Sequence, residues 1–423
     1  MKHLLVIAYY FPPMGLSGVQ RITKFVKYLP AYGWRTTVLT VAPGGYFAFD
    51  EALMRDLDQP EINIHRTQAF DPTRFFRKQR TIELPKEASR KRLSGLSQLL
   101  FVPDNKIGWY RIAVKKALQL HKEKPFDGIL ATAPPYTCGL IARRVSKQCN
   151  IPFVLDLRDD WLENPRHHYP TILHQKAHKR LESSVFNAAS SIITVNGRIA
   201  DAIRGRHPNR ANIVSVIDQG FDPEDFETAP SIPNAAPETL HFLYSGVFYD
   251  RQKPDYFLEA LSRVVRENPE TSVKAHFAGL VPHDMEALVE RFGLHNHVVL
   301  HGYVDHDIAI AHLKRADVLW MTVGSGPGQE QISTSKLFEY FGAQKPILGL
   351  VPEGAARHAL SKCKAAFIAP PEDVEAIEAQ IRLIYAQWKE SVLKRPGEAF
   401  VAQYNRRLLA GALADLLREA LKT

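Results

Sequence analysis

The sequence contains few cysteines and no long apolar run. Its three cysteines, Cys138, Cys149 and Cys363, have neither the spacing of metal ligands nor the even count of a disulfide framework. The first apolar run, Leu4 to Phe11, is far shorter than the roughly 18 to 20 residues of a membrane-spanning helix, and it lacks the cleavage site of a secretory signal. We therefore expect a cytoplasmic protein with neither disulfides nor a membrane span.

Positive charge exceeds negative charge, and most of the excess is local. The chain carries 54 Lys and Arg against 45 Asp and Glu, a net charge of +9. The segment from Arg74 to Arg92 alone has eight basic and two acidic residues. Such charge favours a nucleic acid, a phosphate-bearing substrate or an acidic membrane. The basic residues follow no nucleic-acid-binding pattern, so we expect no nucleic-acid partner. Segment 74–92, which includes Phe75 and Phe76, is predicted either to dock on an anionic membrane or to be a solvated loop.

Short β-branched runs alternate with helical segments in both halves of the chain, which predicts parallel sheets. The stretch from Asp222 to Pro237 holds four prolines and no periodic apolar face, which is typical of a linker. We predict an α/β protein with two doubly wound, Rossmann-like domains, at 1–222 and 239–396, joined by a linker at 223–238. A final helix within 397–423 is expected to pack back toward the first domain. Ligands are expected in a cleft where the carboxyl ends of the two sheets face each other.

Two glycine-containing turns precede predicted helices. In the first, Gly15 to Gly18 follow the opening strand, and glycine there permits close approach of the backbone to an anion. In the second, Arg251 and Lys253 follow Gly246 just before a helix, where cations oppose the helix dipole unless an anion joins them. A purely structural turn and two solvent-exposed cations are the alternatives.

A third loop is rich in glycine and then in hydroxyl groups. Residues 324–328 read Gly-Ser-Gly-Pro-Gly, and Ser333-Thr334-Ser335-Lys336 open the next helix. Hydroxyl and N–H groups at a helix start can cradle a phosphate. Glu339, about one turn into the helix, could accept hydrogen bonds from a sugar diol or be a surface acid that favours the helix dipole.

Charged residues end a strand of the first domain, in the string Asp156-Leu157-Arg158-Asp159-Asp160-Trp161. Four ionisable groups there are costly unless they are paired, so the string predicts either structural ion pairs or a ligand-facing site. His174 and His178 are four residues apart but lack the Glu of a zinc-binding HExxH motif, so we expect no metal site.

Several segments together resemble a known family: YYFPPMGLSGVQRITKF, ATAPPYT, IPFVLDLRDDW, VVLHGYVDHDIAIAHLKRADVLW and STSKLFEYFGAQKPIL. They are similar to GT-B glycosyltransferases of the family-four type, over nearly the whole chain, and above all to the branch that assembles bacterial surface polysaccharides. The resemblance implies retaining, metal-independent transfer of a sugar from a nucleoside diphosphate sugar to a glycan or lipid-linked acceptor. The nucleotide sugar is the donor substrate, and no cofactor is expected. Apart from the resemblance, we expect the enzyme to be cytoplasmic and to attach peripherally, through the basic segment 74–92, to the inner face of the cell membrane.

The motifs and the resemblance together assign roles to individual residues. The donor-binding set is Gly15, Ser17, Gly18, Gly246, Tyr303, Val304, Gln331, Ser333, Thr334, Ser335, Lys336 and Glu339. The catalytic set is Arg158, Asp159, Arg251 and Lys253. Within these sets Lys253 matches the lysine that binds the diphosphate, Glu339 matches the acid that holds the ribose, and Tyr303-Val304 lies near the nucleobase.

The sequence departs from the family pattern at three places. The first acid of the E-x7-E motif is Gln331, the arginine expected after Gly246 is Val247, and the histidine of the first domain is replaced near Leu130 to Thr132. These departures leave two alternatives open, a nucleotide-sugar epimerase and a non-catalytic nucleotide-sugar-binding protein.

Overall fold

The computed structural model describes the 423-residue chain except for residues 16, 45–49, 72–96, 165–166, 168, 234–235, 237, 249–250 and 423. The basic segment 74–92, which includes Phe75 and Phe76, lies outside the described residues. The Ser17 side chain also lies outside them. The chain divides into two compact units, Met1–Gln219 with Arg406–Thr423, and Gly220–Asn405.

The first unit contains seven strands: β1 (Lys2–Ile7), β2 (Trp34–Val41), β3 (Ile62–Thr67), β4 (Gly128–Ala133), β5 (Phe153–Leu157), β6 (Ser191–Thr194) and β7 (Val214–Val216). They form one parallel sheet in the order β3-β2-β1-β4-β5-β6-β7. Its α-helices are α1 (Ser17–Tyr28), α2 (Ala52–Arg55), α3 (Tyr110–Glu123), α4 (Thr137–Cys149), α5 (Ile172–Phe186) and α6 (Gly197–Arg206). Short 3-10 helices occupy Leu29–Tyr32, Ile107–Trp109 and Pro208–Ile213.

The second unit contains six strands: β8 (Leu240–Ser245), β9 (Val273–Ala278), β10 (Val298–Gly302), β11 (Val318–Thr322), β12 (Ile347–Leu350) and β13 (Ala366–Ala369). They form a parallel sheet in the order β10-β9-β8-β11-β12-β13. Its α-helices are α7 (Pro223–Thr228), α8 (Asp255–Glu267), α9 (Met285–Phe292), α10 (His306–Arg315), α11 (Ser335–Gly342), α12 (Ala355–Ser361), α13 (Val374–Lys389) and α14 (Glu398–Ala402). A 3-10 helix spans Gln329–Gln331, and a last helix, α15 (Arg406–Ala420), belongs to the first unit, where it packs on α1.

Each sheet is buried on both faces. In β1, Leu5 and Ile7 pack in one core cluster while Leu4 and Val6 pack in another, on the opposite face. In β8 the same alternation places Phe242 and Tyr244 on one face and Leu243 on the other. Helices on both faces of a parallel sheet explain why its strands read as nearly continuous apolar runs.

The predicted fold class is confirmed, because both units are doubly wound α/β structures with all-parallel sheets. The strand β3 was not predicted, because its sequence is INIHRT and only its first residue is buried. The segment 223–238, expected to be a linker, begins with the short helix α7, which packs on α10 within the second unit. In the described part of the chain, every helix is too short or too polar to cross a membrane.

Candidate active site

The carboxyl ends of β8, β9 and β10 are joined through glycine backbone. Gly246, Gly279 and Gly302 have φ of +121°, +129° and +70°. The Gly246 N–H donates to the Ala278 carbonyl at 2.7 Å, and the Gly279 N–H donates to the Gly302 carbonyl at 2.7 Å. A Cβ at Gly279 would collide with the Gly246 carbonyl oxygen. The backbone of Gly279 therefore packs directly against that of Gly246, a contact that only glycine permits.

Lys336, from the start of α11, lies against this loop. Its Nζ donates to the Val247 carbonyl at 3.1 Å and to the Tyr244 hydroxyl, and it lies 4.1 Å from the centre of the Tyr244 ring. A Cβ on Gly246 would lie 2.7 Å from the Lys336 Cε, so glycine makes room for the lysine. Burial lowers the pKa of Lys336 to about 7, although Glu339 favours the charged form. An anion bound here would restore the charge, since a neighbouring negative charge favours the ammonium form.

Two hydroxyl groups at the start of α11 have no hydrogen-bond partner among the described residues. Ser333 Oγ and Thr334 Oγ1 are buried, and neither makes a hydrogen bond within the described part of the chain. Thr334 is the N-cap residue, with φ −76° and ψ 146°, but its side chain does not cap the helix. Since buried polar groups are nearly always hydrogen-bonded, two orphaned hydroxyls beside a lysine at a helix start indicate a site for an anion.

Arg251 holds the glycine-rich loop that follows β11. Its Nη1 donates to the Ser325 carbonyl at 2.8 Å. A Cβ at Gly324 or Gly326 would collide with Arg251, and Gly326 has φ +122°. By contrast, the Lys253 side chain is exposed and makes no hydrogen bond or ion pair with any described residue. The guanidinium group therefore orders the loop, while the Lys253 ammonium group is available to a ligand.

Glu339 and Tyr340 lie side by side on α11 and differ in their contacts. The Glu339 carboxylate is partly buried and accepts no hydrogen bond from a described residue. The Tyr340 hydroxyl accepts from the Ser245 N–H at 2.9 Å and donates to the Trp320 carbonyl at 3.1 Å. Tyr340 thereby fixes α11 to the end of β8 and to the middle of β11. The sequence analysis missed this residue, because its aromatic ring fits the apolar face of the helix.

The remaining donor-binding candidates of the second unit lie after β10 and just before or at the start of α11. Tyr303, which follows β10, is 49% exposed, and Val304 packs against the core. Gln331 ends the 3-10 helix before α11 and is partly buried, as is Ser335 at the first position of α11. Gln331 precedes the unpartnered hydroxyl of Ser333 by two residues and occupies the position at which the family pattern has an acid.

In the first unit, Arg158 joins three loops at the carboxyl edge of the sheet. Its Nη1 donates to the Gly18 carbonyl at 2.5 Å, and its Nη2 donates to the Pro134 carbonyl. A Cβ at Gly18 would collide with Nη1, and Gly15 is buried nearby in the same turn. Arg158 therefore orders the turn after β1 and the loop after β4, as a positioning residue.

The other charged residues after β5 separate into paired and unpaired groups. Asp156 is buried, pairs with Arg21 Nε at 3.0 Å and accepts from the Thr132 hydroxyl at 2.9 Å. Asp160 is buried and accepts two hydrogen bonds from Arg206 Nη2, at 2.8 and 3.0 Å. Asp159 is partly buried and makes no hydrogen bond with a described residue. Asp156 and Asp160 are structural, which leaves Asp159 as the carboxylate open to a ligand.

The two histidines at helical spacing make separate structural contacts. The Trp161 indole donates to His178 Nδ1 at 3.2 Å, and His174 Nε2 donates to the Leu99 carbonyl at 3.1 Å. Burial lowers the pKa of His178 to about 4. Among the described residues, no group of three or more His, Cys, Asp or Glu side chains is placed to hold a metal ion.

Comparison with known proteins finds a family match within the second unit. Residues 239–387 match the family model "Glycosyl transferases group 1". No curated protein matches the chain in sequence.

Solved structures share the fold of the whole chain. Sucrose-phosphate synthase from Thermosynechococcus elongatus is 15% identical, with 99% of each chain covered and a TM-score of 0.67. HepE from Anabaena in complex with UDP is 15% identical, with 99% of this chain and 100% of that chain covered and a TM-score of 0.66. A glycosyltransferase from Rickettsia africae is 14% identical, with coverage of 100% and 99% and a TM-score of 0.67. Residues 239–387 of the second unit are therefore similar to group 1 glycosyltransferases, and the chain has the GT-B fold of the similar structures.

Proposed function

We propose that the enzyme transfers a sugar from a nucleoside diphosphate sugar to a glycan or lipid-linked acceptor, with retention of configuration and without a metal ion. The observation that carries the proposal is the pair of buried, unpartnered hydroxyls of Ser333 and Thr334 at the start of α11, beside Lys336. A diphosphate satisfies both hydroxyls, and its charge suits both the helix start and the lysine.

The same groups account for catalysis of bond cleavage. When the bond between sugar and diphosphate breaks, negative charge accumulates on the departing phosphate oxygen. We propose that Lys336, the two hydroxyls and the exposed Lys253 donate hydrogen bonds to this charge and so stabilise the transition state. Arg251 keeps the glycine-rich loop ordered through Ser325. Side-chain cations thus take the place that a divalent ion holds in metal-dependent transferases.

The nucleoside is proposed to lie along the ends of β10 and α11. The unpaired carboxylate of Glu339 suits the two ribose hydroxyls, which are paired donors. The half-exposed Tyr303 ring, with Val304 beside it, offers a stacking surface to the base. UDP is the first nucleotide to test, because it is bound in the similar HepE structure.

The first unit is proposed to handle the acceptor. Arg158 orders the turn that contains Gly15, Ser17 and Gly18, and Asp159 supplies a carboxylate that can accept a hydrogen bond from the acceptor hydroxyl. We propose a role in surface polysaccharide biosynthesis, in the cytoplasm at the inner face of the cell membrane. The basic segment 74–92, with its net positive charge, would contact anionic lipids there.

The test is a panel of nucleotide sugars incubated with the purified enzyme and followed by release of nucleoside diphosphate. We expect release from one donor that increases when lipid-linked or soluble glycan acceptors are added, with excess EDTA present throughout. A new nucleotide sugar formed without acceptor would instead identify an epimerase. Binding without any turnover would identify a non-catalytic binding protein, and activity that is lost in EDTA and restored by Mg²⁺ would contradict the metal-independent mechanism.

A further inference from the structure

We propose that the first unit docks on an anionic lipid bilayer through an apolar patch, formed by Leu99, Leu100, Ile172 and Leu173, and an adjoining basic stripe on α5. The proposal extends the membrane contact proposed for segment 74–92 to side chains whose positions are described. It is independent of the transfer reaction.

The apolar patch consists of large aliphatic side chains that face solvent. Leu99 is 47% exposed, Leu100 65%, Ile172 71% and Leu173 75%. A clustered set of exposed aliphatic side chains is uncommon on a soluble surface and marks an interaction site.

His174 fixes the two halves of the apolar patch beside each other. Its Nε2 donates to the Leu99 carbonyl at 3.1 Å, and its Nδ1 lies 2.8 Å from the Thr171 hydroxyl. The helical turn at 97–100 is therefore held against the first turn of α5, which carries Ile172 and Leu173. The two halves of the apolar patch are therefore held together by a side-chain hydrogen bond between segments about 75 residues apart in sequence.

The basic stripe continues the apolar patch along α5. Lys176, Lys179 and Arg180 are all exposed. At 100° per residue, these three cations and Ile172 and Leu173 lie within an arc of about 120° on the helix. One face of α5 therefore presents aliphatic groups in its first turn and cations in the next two.

Acidic charge is absent from the exposed surface of α5. The one acid in this helix, Glu182, is fully buried. Its carboxylate lies 3.2 Å from Arg206 Nε and 2.7 Å from His207 Nε2, so its charge is compensated inside the unit. An approaching anionic surface thus meets cations without a competing carboxylate from this helix.

This combination fits a lipid surface better than a second copy of the chain. Aliphatic side chains enter the boundary between headgroups and acyl chains, while adjacent Lys and Arg pair with anionic headgroups. In a two-fold symmetric dimer through the same face, the basic stripe of one copy would lie near that of the other and repel it.

The experiment measures sedimentation of the full-length enzyme with phosphatidylcholine vesicles that contain or lack 30% phosphatidylglycerol, without donor or acceptor. We expect binding that requires the anionic lipid and weakens with salt, since screening shortens the range of attraction. Replacing the four residues of the apolar patch by Ser should weaken binding at least tenfold, as should K176S/K179S/R180S. The matched controls are L383S/L408S, which removes exposed leucines elsewhere, and K389S/K394S/R395S. Thermal melting must show that each variant is folded.

A second readout detects insertion directly. An environment-sensitive fluorophore on Leu173→Cys should shift its emission to the blue when anionic vesicles are added, whereas the same label on Leu408→Cys should not.

Parent-like binding by the patch variant overturns the proposal, as does equal binding to neutral vesicles. Loss of binding only in R90S/K91S/R92S also overturns it, because segment 74–92 would then suffice. Concentration-dependent dimerisation without vesicles, abolished by the patch variant, would assign the surface to a second copy. Because vesicle binding is measured without turnover, its failure leaves the proposed transferase function untouched.

Discussion

Lys336 combines a positive charge with an environment that disfavours it. The ammonium group is held by a backbone carbonyl, a tyrosine hydroxyl and the face of the same tyrosine, with no carboxylate in direct contact among the described residues. Its lowered pKa follows from burial, and that cost is relieved when an anion binds. We therefore propose Lys336 as the main fixed cation of the proposed diphosphate site.

Lys336→Met should weaken nucleoside diphosphate binding by about 1.5 to 3 kcal/mol, the usual contribution of a charge-assisted hydrogen bond. Fluorescence-detected titration of the folded variant checks this. Lys345→Met is the matched control, since burial also lowers the pKa of Lys345, which lies just before β12 at the opposite edge of the sheet. Equal losses in the two variants would show that the effect is not specific to the site.

Substitutions of the adjacent residues Asp159 and Asp160, after β5, should have different effects on the free energy of unfolding. Asp160 accepts hydrogen bonds from the N–H groups of Leu162 and Glu163 as well as from Arg206. Asp160→Ala should therefore lower the free energy of unfolding by about 1 to 3 kcal/mol, because it removes the acceptor of the Leu162 and Glu163 N–H groups, whereas Arg206 keeps Glu182 as a partner. Asp159→Asn should change it by less than about 0.5 kcal/mol while reducing turnover. Urea unfolding measures both, and a strongly destabilised Asp159→Asn would refute its assignment to the acceptor.

The sequence points to candidate site residues only where the pattern is local. Ser333, Thr334 and Lys336 are consecutive or nearly so at a helix start, and their position alone predicted an anion site. The partner of Asp156 was not predictable, because Arg21 lies 135 residues away and meets it only through the order of the strands.

At the scale of elements, β8, β9 and β10 carry a histidine ladder, which we define as His241, His276, His301 and His312 of the adjoining helix α10. Nitrogen atoms of His241 and His276 are 2.9 Å apart, and those of His276 and His301 are 3.0 Å apart. His301 and His312 rings lie 4.3 Å apart. The Ala236 carbonyl must accept from His241 Nε2, which makes His241 Nδ1 an acceptor and sets the direction of donation along the ladder.

The histidine ladder should make the free energy of unfolding decrease as the pH falls. Burial and the neighbouring histidines lower the pKa of His276 to about 3, and burial lowers that of His312 to about 4, with Arg315 contributing to both shifts. The unfolded chain, with ordinary histidine pKa values near 6.5, takes up protons first as pH falls. The stability present above pH 6.5 is therefore lost progressively between about pH 6.5 and 4, by up to about 1.4 kcal/mol per pH unit for each proton.

His276→Gln should flatten this slope, because an amide does not titrate. Denaturant unfolding from pH 7 to 4.5 measures it, and His295→Gln, at an exposed histidine, is the control. An unchanged slope in His276→Gln would show that the ladder does not govern acid stability. The sequence analysis did not anticipate the ladder, because its members are 11 to 35 positions apart and each alternates with apolar strand residues.

At the scale of the whole molecule, the two units share one feature: an arginine binds backbone carbonyls of the loops beside the point where the strand order reverses. In each sheet the strand order reverses next to the first strand of the unit, between β1 and β4 and between β8 and β11. Ligands bind at such switch points, outside the carboxyl ends of the strands. In both units an arginine donates to backbone carbonyls of the loops that flank the switch point, Arg158 to Gly18 and Pro134, and Arg251 to Ser325.

The architecture was largely predictable from the sequence. Buried parallel strands such as β1 and β8 appear as apolar, β-branched runs, and the pattern begins again after the proline-rich stretch. The half-exposed strand β3 and the helix α7 escaped prediction because each depends on packing against a neighbour rather than on its own pattern. The resemblance to GT-B glycosyltransferases is confirmed by the family match at 239–387 and by the shared fold.

The central claim is that the second unit binds the diphosphate of the donor through the start of α11, using protein groups alone. Calorimetric titration of UDP into the enzyme in excess EDTA tests this most directly, with S333A/T334A as the variant and S361A, on the exposed end of α12, as the control. The account predicts one site per chain in the parent and the control, and binding at least about tenfold weaker in S333A/T334A, because two donors to the phosphate oxygens are lost. If GDP, ADP or TDP replaces UDP as the ligand that binds, the same difference is expected. Parent-like affinity in S333A/T334A, or binding only when Mg²⁺ is added, would contradict the account.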